Sequence, residues 1–294
     1  MRERKPRQIS GPPSGPPRPP GPARTWKEFR SHSPRLERLR SRFHFLRKPF
    51  TLVRSFSLRP ERDAGWIRFL LYHFVFDDQR KNFEQHLVEV KRHGQFISYG
   101  DAVSLLNSPR PIEDRYFCMS FDDAFKNCFA NALPILAAAQ VPCIFFLPVN
   151  YLGSCLTSFP NPFAYKSPIE FMAWEDCRQL LRAGMQIGSH TLTHHSLSQL
   201  DADRARAELE LSKKRIEAEL GCRCEHFAAP RGKPGVHFSL DRDPGIAREL
   251  GYRSFATAEP GAMRAQDSAY RIRRISVHPG LDRFELRASV LGAA

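Results

Sequence analysis

The feature that most constrains the fold is a regular alternation of strand-like and helix-like segments between residues 66 and 290. Amphipathic segments predict the helices, and the clearest is 201–221, where Asp201 suits the N-cap and Gly221 the C-terminal stop. This alternation indicates a parallel sheet with crossover helices, and about seven such units fit a barrel or a doubly wound sheet. Short apolar runs predict the strands, at 66–73, 115–121, 143–148, 185–190, 226–230, 252–257 and 273–278.

Polar side chains at the ends of the predicted strands favour the barrel. In α/β barrels, the active site is assembled at the carboxyl ends of the strands and in the loops that follow them. We therefore expect an α/β barrel with a site built from several strands. The polar residues at these ends are His73, Asp122 with Asp123, His190, Pro230 with Arg231, and His278.

The positive charge of the chain is concentrated near its start. The net charge is +14, and residues 1–64 contain 17 Lys and Arg against 5 Asp and Glu, so the remainder is nearly neutral. Residues 1–24 are rich in Pro, Gly and Arg and cannot bury enough surface to offset the entropy cost of ordering. We predict a disordered, basic, Pro-rich extension at 1–64 and a folded domain at 65–294. A helix lying on the domain is an alternative for 25–64.

The charge distribution limits the partners that are expected. The basic extension could contact an acidic surface, such as a membrane or a nucleic acid. The nearly neutral folded domain gives no reason to expect specific binding of nucleic acid.

Cysteine usage and the N-terminus bear on the compartment. The seven cysteines are an odd number and include no Cys-x-x-Cys pair, which is typical of free thiols in a reducing environment. The N-terminus lacks the apolar core of a signal peptide, and no stretch reaches the roughly 18–20 apolar residues of a membrane span. We expect a cytoplasmic protein.

Two short motifs carry candidate chemistry. Asp122 and Asp123 close an apolar strand, where carboxylates are costly unless something pairs with them. His190 and His194 are four residues apart, a spacing that places two imidazoles on one face of a helical turn. Two imidazoles and one carboxylate make a three-ligand metal site, for which zinc is the first candidate and cobalt, manganese and iron are alternatives.

Two adjacent acids suit a division of labour. One binds the metal, and the other stays free beside it and takes a proton from the attacking water as general base. A divalent metal lowers the pKa of water and polarises a carbonyl oxygen. This equipment is suited to the hydrolysis of an amide or an ester.

Three segments, in this order, resemble the motifs of the polysaccharide deacetylase (NodB-homology) family: MSFDDAF at 119–125, GSHTLTH at 188–194 and FAAPRG at 227–232. The resemblance covers roughly 66–290. It implies a distorted seven-stranded (β/α) barrel that removes acetyl groups from N-acetylated, or sometimes O-acetylated, sugars. It also implies that Asp122 is the general base.

The resemblance assigns the remaining site residues. Asp123, His190 and His194 are the implied metal ligands. His278 matches the general-acid histidine of the last family motif. The residues predicted to line the substrate site are Pro230, Arg231, Arg274 and His73.

The sequence departs from the family pattern at four places, two of which are Ser120 in place of a threonine and Arg231 in place of a tyrosine. Ala124 replaces a glycine, and Ala228 stands where many members have the arginine that contacts the base. Arg231, Arg273 and Arg274 are the candidates for supplying that arginine. The departures leave open a second function, that of a catalytically weakened carbohydrate-binding protein on the same fold. The expected partner is in either case an acetylated glycan or sugar precursor.

Overall fold

The computed structural model describes residues 21–31, 65–157, 163 and 167–292. The helices are α1 (Trp26–Ser31), α2 (Arg80–Lys91), α3 (Tyr99–Leu106), α4 (Leu133–Ala138), α5 (Trp174–Arg182), α6 (Ala202–Leu220), α7 (Asp243–Glu249) and α8 (Arg283–Gly292). The strands are β1 (Trp66–Tyr72), β2 (Gln95–Phe96), β3 (Arg115–Phe121), β4 (Cys143–Leu147), β5 (Cys155–Leu156), β6 (Ile169–Glu170), β7 (Gln186–Ser189), β8 (His226–Ala228), β9 (Ser254–Ala256) and β10 (Arg274–Ser276).

Seven parallel strands form a nearly closed barrel in the order β10-β1-β3-β4-β7-β8-β9. The remaining gap is bridged just before β10, where Thr257 N donates to Ile272 O at 2.8 Å. The barrel is uneven, because β1 and β3 pair over seven positions whereas β7 and β8 pair only at Ser189 and Phe227. The structure confirms the predicted seven-stranded barrel. It adds β2 beside β3, and an antiparallel pair formed by β5 and β6, that the sequence patterns did not predict.

The two faces of the strands bury different side chains because strand residues alternate. In β3, Phe117, Met119 and Phe121 pack in the larger cluster, whereas Cys118 packs in a smaller cluster that combines alternate strand positions with four residues of α3. That smaller cluster contains Phe69, Ile144, Phe146, Ala228 and Ala256, and we identify it with the barrel interior. The same alternation directs Ser120, and then Asp122, towards the interior.

Helix α6 follows its sequence signals closely. The Asp201 carboxylate accepts a hydrogen bond from Arg204 N at 2.9 Å, and Gly221 ends the helix in a left-handed conformation at φ 64°. One face of the helix is buried, through Ala205, Leu209, Ser212 and Ile216.

The helical segment between β3 and β4 has a break. A π-helical turn at Cys128–Ala132 precedes α4, which begins at Leu133. The proline at 134 has no N–H and cannot donate to the carbonyl of Ala130, which instead lies 3.5 Å from Arg80 Nη1. The change of helix type is explained by this missing hydrogen bond.

A short part of the N-terminal extension lies on the barrel. The main-chain N–H of Trp26 donates to Asp78 Oδ1 at 2.9 Å, and Asp77 N donates to Arg24 O at 3.1 Å. One alternative for 25–64 was a helix lying on the domain, and helix α1 agrees with it over Trp26–Ser31. Residues 1–20 and 32–64 lie outside the described residues, so the two-part division of the chain stays a prediction. Within the described ranges, no helix is both long and apolar enough to cross a membrane.

We predict that His226 makes stability fall in acid. Burial lowers the pKa of His226 from 6.5 to about 3, and its Nδ1 lies 3.0 Å from Ser254 Oγ. Below pH 6.5 the unfolded chain binds a proton that the folded chain excludes until about pH 3. The free energy of unfolding should therefore lose about 1.4 kcal/mol per pH unit through this group.

Urea unfolding of a His226→Gln variant between about pH 4 and 6 measures this contribution, because the variant removes that titration. The exposed His195→Gln is the matched control. Equal pH slopes for wild type and His226→Gln would contradict the prediction.

Candidate active site

Asp122 forms a buried ion pair with Arg274. The guanidinium donates two parallel hydrogen bonds, from Nη1 to Oδ1 and from Nη2 to Oδ2, both 2.7 Å long. Both side chains are nearly inaccessible, with Arg274 only 1% exposed. The third guanidinium nitrogen, Nε, donates to Thr257 O at 2.8 Å, so Arg274 is fixed from the opposite side.

Of the three arginines that the sequence offered as partners of the base, Arg274 is the one that contacts Asp122. Arg273 points elsewhere, and its Nη2 donates to Asp267 Oδ2 at 3.0 Å. Arg231 is exposed in a left-handed turn at φ 59°, beyond β8. The predicted substrate contacts of Arg231 and Arg274 stay predictions.

The ion pair keeps Asp122 ionised. Burial raises the pKa of Asp122. The charges of Arg274, His190 and His73 lower it by a larger amount, so the net pKa lies below the usual range. The pKa of Arg274 is raised, because the charge of Asp122 outweighs the opposing effect of burial. Each carboxylate oxygen of Asp122 has a second lone pair, which remains available to accept a proton.

Asp123 lies against the two imidazoles, whereas Asp122 is paired with Arg274. The strand pattern ends at Asp122, whose N–H still donates to Tyr72 O at 3.0 Å. Asp123 and Ala124 then adopt left-handed conformations, at φ 73° and 52°. The turn brings Asp123 Oδ1 to 3.4 Å from His190 Nε2 and 3.1 Å from His194 Nε2. The two adjacent acids therefore reach one side-chain cluster by different routes, and both lie near His190, as their position at a strand end predicted.

The prediction that a helical turn joins His190 and His194 is wrong. Residues 190–196 are irregular, and Thr191 and His194 have left-handed conformations at φ 67° and 58°. The loop is held by Glu208 of α6, whose Oε2 accepts from Leu192 N and Thr193 N, both at 2.9 Å. The four-residue spacing predicted that the two imidazoles lie close together. It did not predict the irregular loop that brings them together.

Partners of the imidazoles fix their orientation. His190 Nδ1 lies 2.8 Å from Ala228 O, which leaves Nε2 directed at Asp123. The ring of His194 is stacked on Phe163, with centroids 4.2 Å apart. Sequence reasoning missed Ala228 O, Phe163 and Glu208, because a main-chain acceptor, an apolar ring and a helix carboxylate carry no motif signal.

Asp123, His190 and His194 fit a divalent metal. Each offers one ligand atom, and these atoms lie within 4.8 Å of one another. Asp123 Oδ1 and His194 Nδ1 are buried without a hydrogen-bond partner among the described residues. Two ligands at 2.0–2.1 Å from tetrahedral zinc are about 3.3 Å apart, which matches the separations of Asp123 Oδ1 from the two Nε2 atoms.

Protonation at Asp123 and His194 also suits metal binding, whereas a cation must compete with a proton at His190. For Asp123, burial raises the pKa, but His194 and His190 hold it well below the usual range. For His194, burial dominates and lowers the pKa, which favours the neutral imidazole that binds metals. For His190, burial lowers the pKa, but Asp122 and Asp123 outweigh it and the net pKa is raised.

His73 and His278 lie in different surroundings. His73 is half-buried at the end of β1, and its charge contributes to the low pKa of both Asp122 and Asp123. His278 packs against Trp26 with ring centroids 4.3 Å apart, and its Nδ1 accepts a hydrogen bond from Gly280 N at 2.8 Å. The roles predicted for both histidines stay predictions, as does that of Pro230, which is buried.

The motifs and the fold agree with one known family. A family model described as polysaccharide deacetylase matches residues 110–255, which include Asp122, Asp123, His190 and His194. The chain belongs to the polysaccharide deacetylase family. As a member it is a hydrolase of the polysaccharide deacetylase type.

Individual members of the family are distant in sequence. YxkH of Bacillus subtilis (strain 168), which is named after the same family, is 21% identical over 80% of this chain and 82% of its own length. The solved structure of IcaB from Ammonifex degensii superposes with a TM-score of 0.65 at 20% identity, over 78% of this chain and 98% of IcaB. The deacetylase PplD of Streptococcus pyogenes, solved with acetate, gives 0.60 at 19% identity, over 79% and 99% of the two chains. These structural likenesses concern the fold.

We predict strong coupling between Arg274 and Asp122. Arg274→Met leaves the Asp122 carboxylate buried and unpaired, so we expect a loss of about 3–5 kcal/mol in the free energy of unfolding. Arg274→Met combined with Asp122→Asn removes both charges and should be less destabilised than the sum of the single variants. Urea unfolding of the four proteins measures the coupling, and additive losses would show that the ion pair does not form.

Proposed function

We propose that this polysaccharide deacetylase family member is a metal-dependent hydrolase that removes N-acetyl groups from an acetylated glycan or sugar precursor. The observation that supports the proposal is the buried cluster of Asp122, Asp123, His190 and His194, in which one carboxylate lies among imidazoles and the other is held by Arg274. Zinc is the metal that this donor set fits first.

Asp123, His190 and His194 would hold the metal. A divalent cation bound there would lower the pKa of a water molecule and polarise the acetyl carbonyl. Asp122 is ionised and accepts the proton of the attacking water on an oxygen lone pair that Arg274 does not use. Arg274 prevents the Asp122 carboxylate from turning away and acts as a positioning residue.

A proton donor must protonate the leaving amine. His278 is the donor that the family resemblance implies. His73 is a second candidate, because it follows β1, whose last residue Tyr72 pairs with Phe121 directly before the two aspartates. An imidazole near the two carboxylates can deliver a proton to the same reaction centre.

The alternative of a non-catalytic carbohydrate-binding protein has lost its main support. It was motivated by Ala228, which stands in place of the arginine expected beside the base. Arg274 contacts Asp122 from a different strand, so the base has an arginine partner.

We predict different effects for the two adjacent aspartates. Asp122→Asn should lower kcat for acetate release by about 10²-fold or more while retaining the metal, because only the general base is removed. Asp123→Asn should lose both metal and activity. Metal analysis and acetate release from acetylated glucosamine oligomers measure these effects. Full turnover by Asp122→Asn would contradict the proposed mechanism, and an inert, metal-free wild type would contradict the proposed function.

We predict that substitution of the two candidate donors, one at a time, shows which of them protonates the leaving amine. The variant that removes the true acid should lower kcat by about 10²–10⁴-fold and abolish the alkaline limb of its pH profile, with metal content unchanged. His73→Asn and His278→Asn are compared on the same N-acetylated oligomer. If neither variant changes kcat, then neither imidazole donates the proton.

A further inference from the structure

The loop 191–193 joins the candidate metal ligands His190 and His194, and the segment 149–151 holds it from one side. Each of the three main-chain carbonyls of the loop accepts a hydrogen bond from that segment, so its N–H groups must find their partners elsewhere. The bonds run from Val149 N to Thr191 O at 3.2 Å, from Asn150 N to Leu192 O at 2.9 Å, and from Tyr151 Oη to Thr193 O at 3.1 Å.

A single carboxylate holds the opposite side of the loop. Glu208 Oε2 accepts hydrogen bonds from Leu192 N and Thr193 N, both at 2.9 Å, and Oε1 accepts one from Thr193 Oγ1 at 2.7 Å. Hydrogen bonds to a carboxylate are roughly twice as strong as those between neutral groups. Because Glu208 belongs to the 19-residue helix α6, these bonds attach the loop to a long, packed element.

The two candidate imidazole ligands differ in how they are oriented. A metal-bound histidine usually donates its second ring N–H to an oxygen, which fixes the ring. His190 Nδ1 has such a partner in Ala228 O, at 2.8 Å. His194 Nδ1 is buried and has no hydrogen-bond partner among the residues that the structure describes. Stacking on Phe163 constrains the plane of the His194 ring but supplies no acceptor, so the position of this ring depends on the backbone that carries it.

The backbone at His194 needs support from its surroundings. Thr191 and His194 have φ of 67° and 58°, in the left-handed region that is unfavourable for ordinary L-residues. Thr193, directly before His194, is held at its N–H, its hydroxyl and its carbonyl, and two of these three bonds end on Glu208. Without them the loop could relax, and His194 Nε2 would leave its place 3.1 Å from Asp123 Oδ1.

We propose that Glu208 is a positioning residue that sets the affinity of the site for a divalent metal, because it holds His194 in place through the loop 191–193. The inference rests on the proposed function for the metal itself. Glu208 does not touch the ligand atoms. Its effect should be specific to His194, since His190 directly follows β7 and is oriented by its own acceptor.

Two substitutions of Glu208 and one matched control test the proposal in the full chain. Glu208→Ala removes the acceptor. Glu208→Gln keeps one carbonyl oxygen at the same reach, and one oxygen binds both main-chain N–H groups in the structure, so this variant should retain weaker forms of those bonds. Glu210→Ala is the control, because Glu210 is also partly buried on α6 but its carboxylate pairs with Lys214.

The dissociation constant for zinc is measured by competition with a chelator. Glu208→Ala should weaken zinc binding by about tenfold or more, Glu208→Gln by less, and Glu210→Ala not at all. The visible spectrum of the cobalt-loaded protein reports the number and geometry of the ligands. That of Glu208→Ala should shift towards that of His194→Ala. Urea unfolding of the metal-free proteins measures any loss of stability separately from the affinity of the folded chain.

Combination with ligand variants separates positioning of one ligand from a general effect on the site. In His194→Ala the ring that Glu208 positions is gone, so adding Glu208→Ala should not weaken zinc binding further. In His190→Ala the same addition should still weaken it. Equal losses in both backgrounds would show that Glu208 acts on the whole site and would overturn the proposal.

The remaining outcomes distinguish this inference from the proposed function. Equal zinc affinity of wild type and Glu208→Ala would overturn the inference alone, because the metal site would still be there. A wild type that binds no divalent metal would overturn both. If Glu208→Ala does not fold, Glu208→Gln carries the test, and an affinity equal to that of wild type would then overturn the inference.

Discussion

The buried ion pair between Asp122 and Arg274 links the site to the closure of the barrel. Removing these ions from water costs several kcal/mol each, and the two 2.7 Å hydrogen bonds offset that cost only while both partners are in place. The partners are 152 residues apart, and they lie on opposite sides of β1, because β3 and β10 are its two neighbours. Asp122 is therefore correctly held only after the last strand has joined the sheet.

The barrel could be predicted from its sequence pattern. So could four site residues, each of which has a local sequence signal: Asp122, Asp123, His190 and His194. An apolar strand ending at Asp122 and Asp123 is such a signal, and so is the short distance between His190 and His194. Arg274 has none. Its choice over Arg273 depends on which face of β10 points inward, and that is decided by the pairing of β10 with β1. Long-range register cannot be read from a run of three residues.

Other differences also arise from contacts that composition does not encode. The His190–His194 loop depends on left-handed residues and on Glu208, which is supplied by a helix beyond the loop. The extension is poor in apolar residues, yet α1 packs its few aromatic rings against Phe74 and Phe76. A short helix with little core of its own is stabilised by the rim of a barrel that is already formed.

Backbone strain occurs at two of the three residues that would bind the metal and at a neighbour of each ligand segment. Asp123, Ala124, Thr191 and His194 all have positive φ, at a cost on the order of 1–2 kcal/mol for an ordinary L-residue. Asp123 Oδ1 is in addition buried without a hydrogen bond from the described residues. The packing of the barrel nevertheless places the three ligand atoms within 4.8 Å of one another. A cation that binds only the folded chain would also add its binding free energy to stability. The rest of the barrel, together with such a cation where one binds, must offset the cost of these left-handed residues.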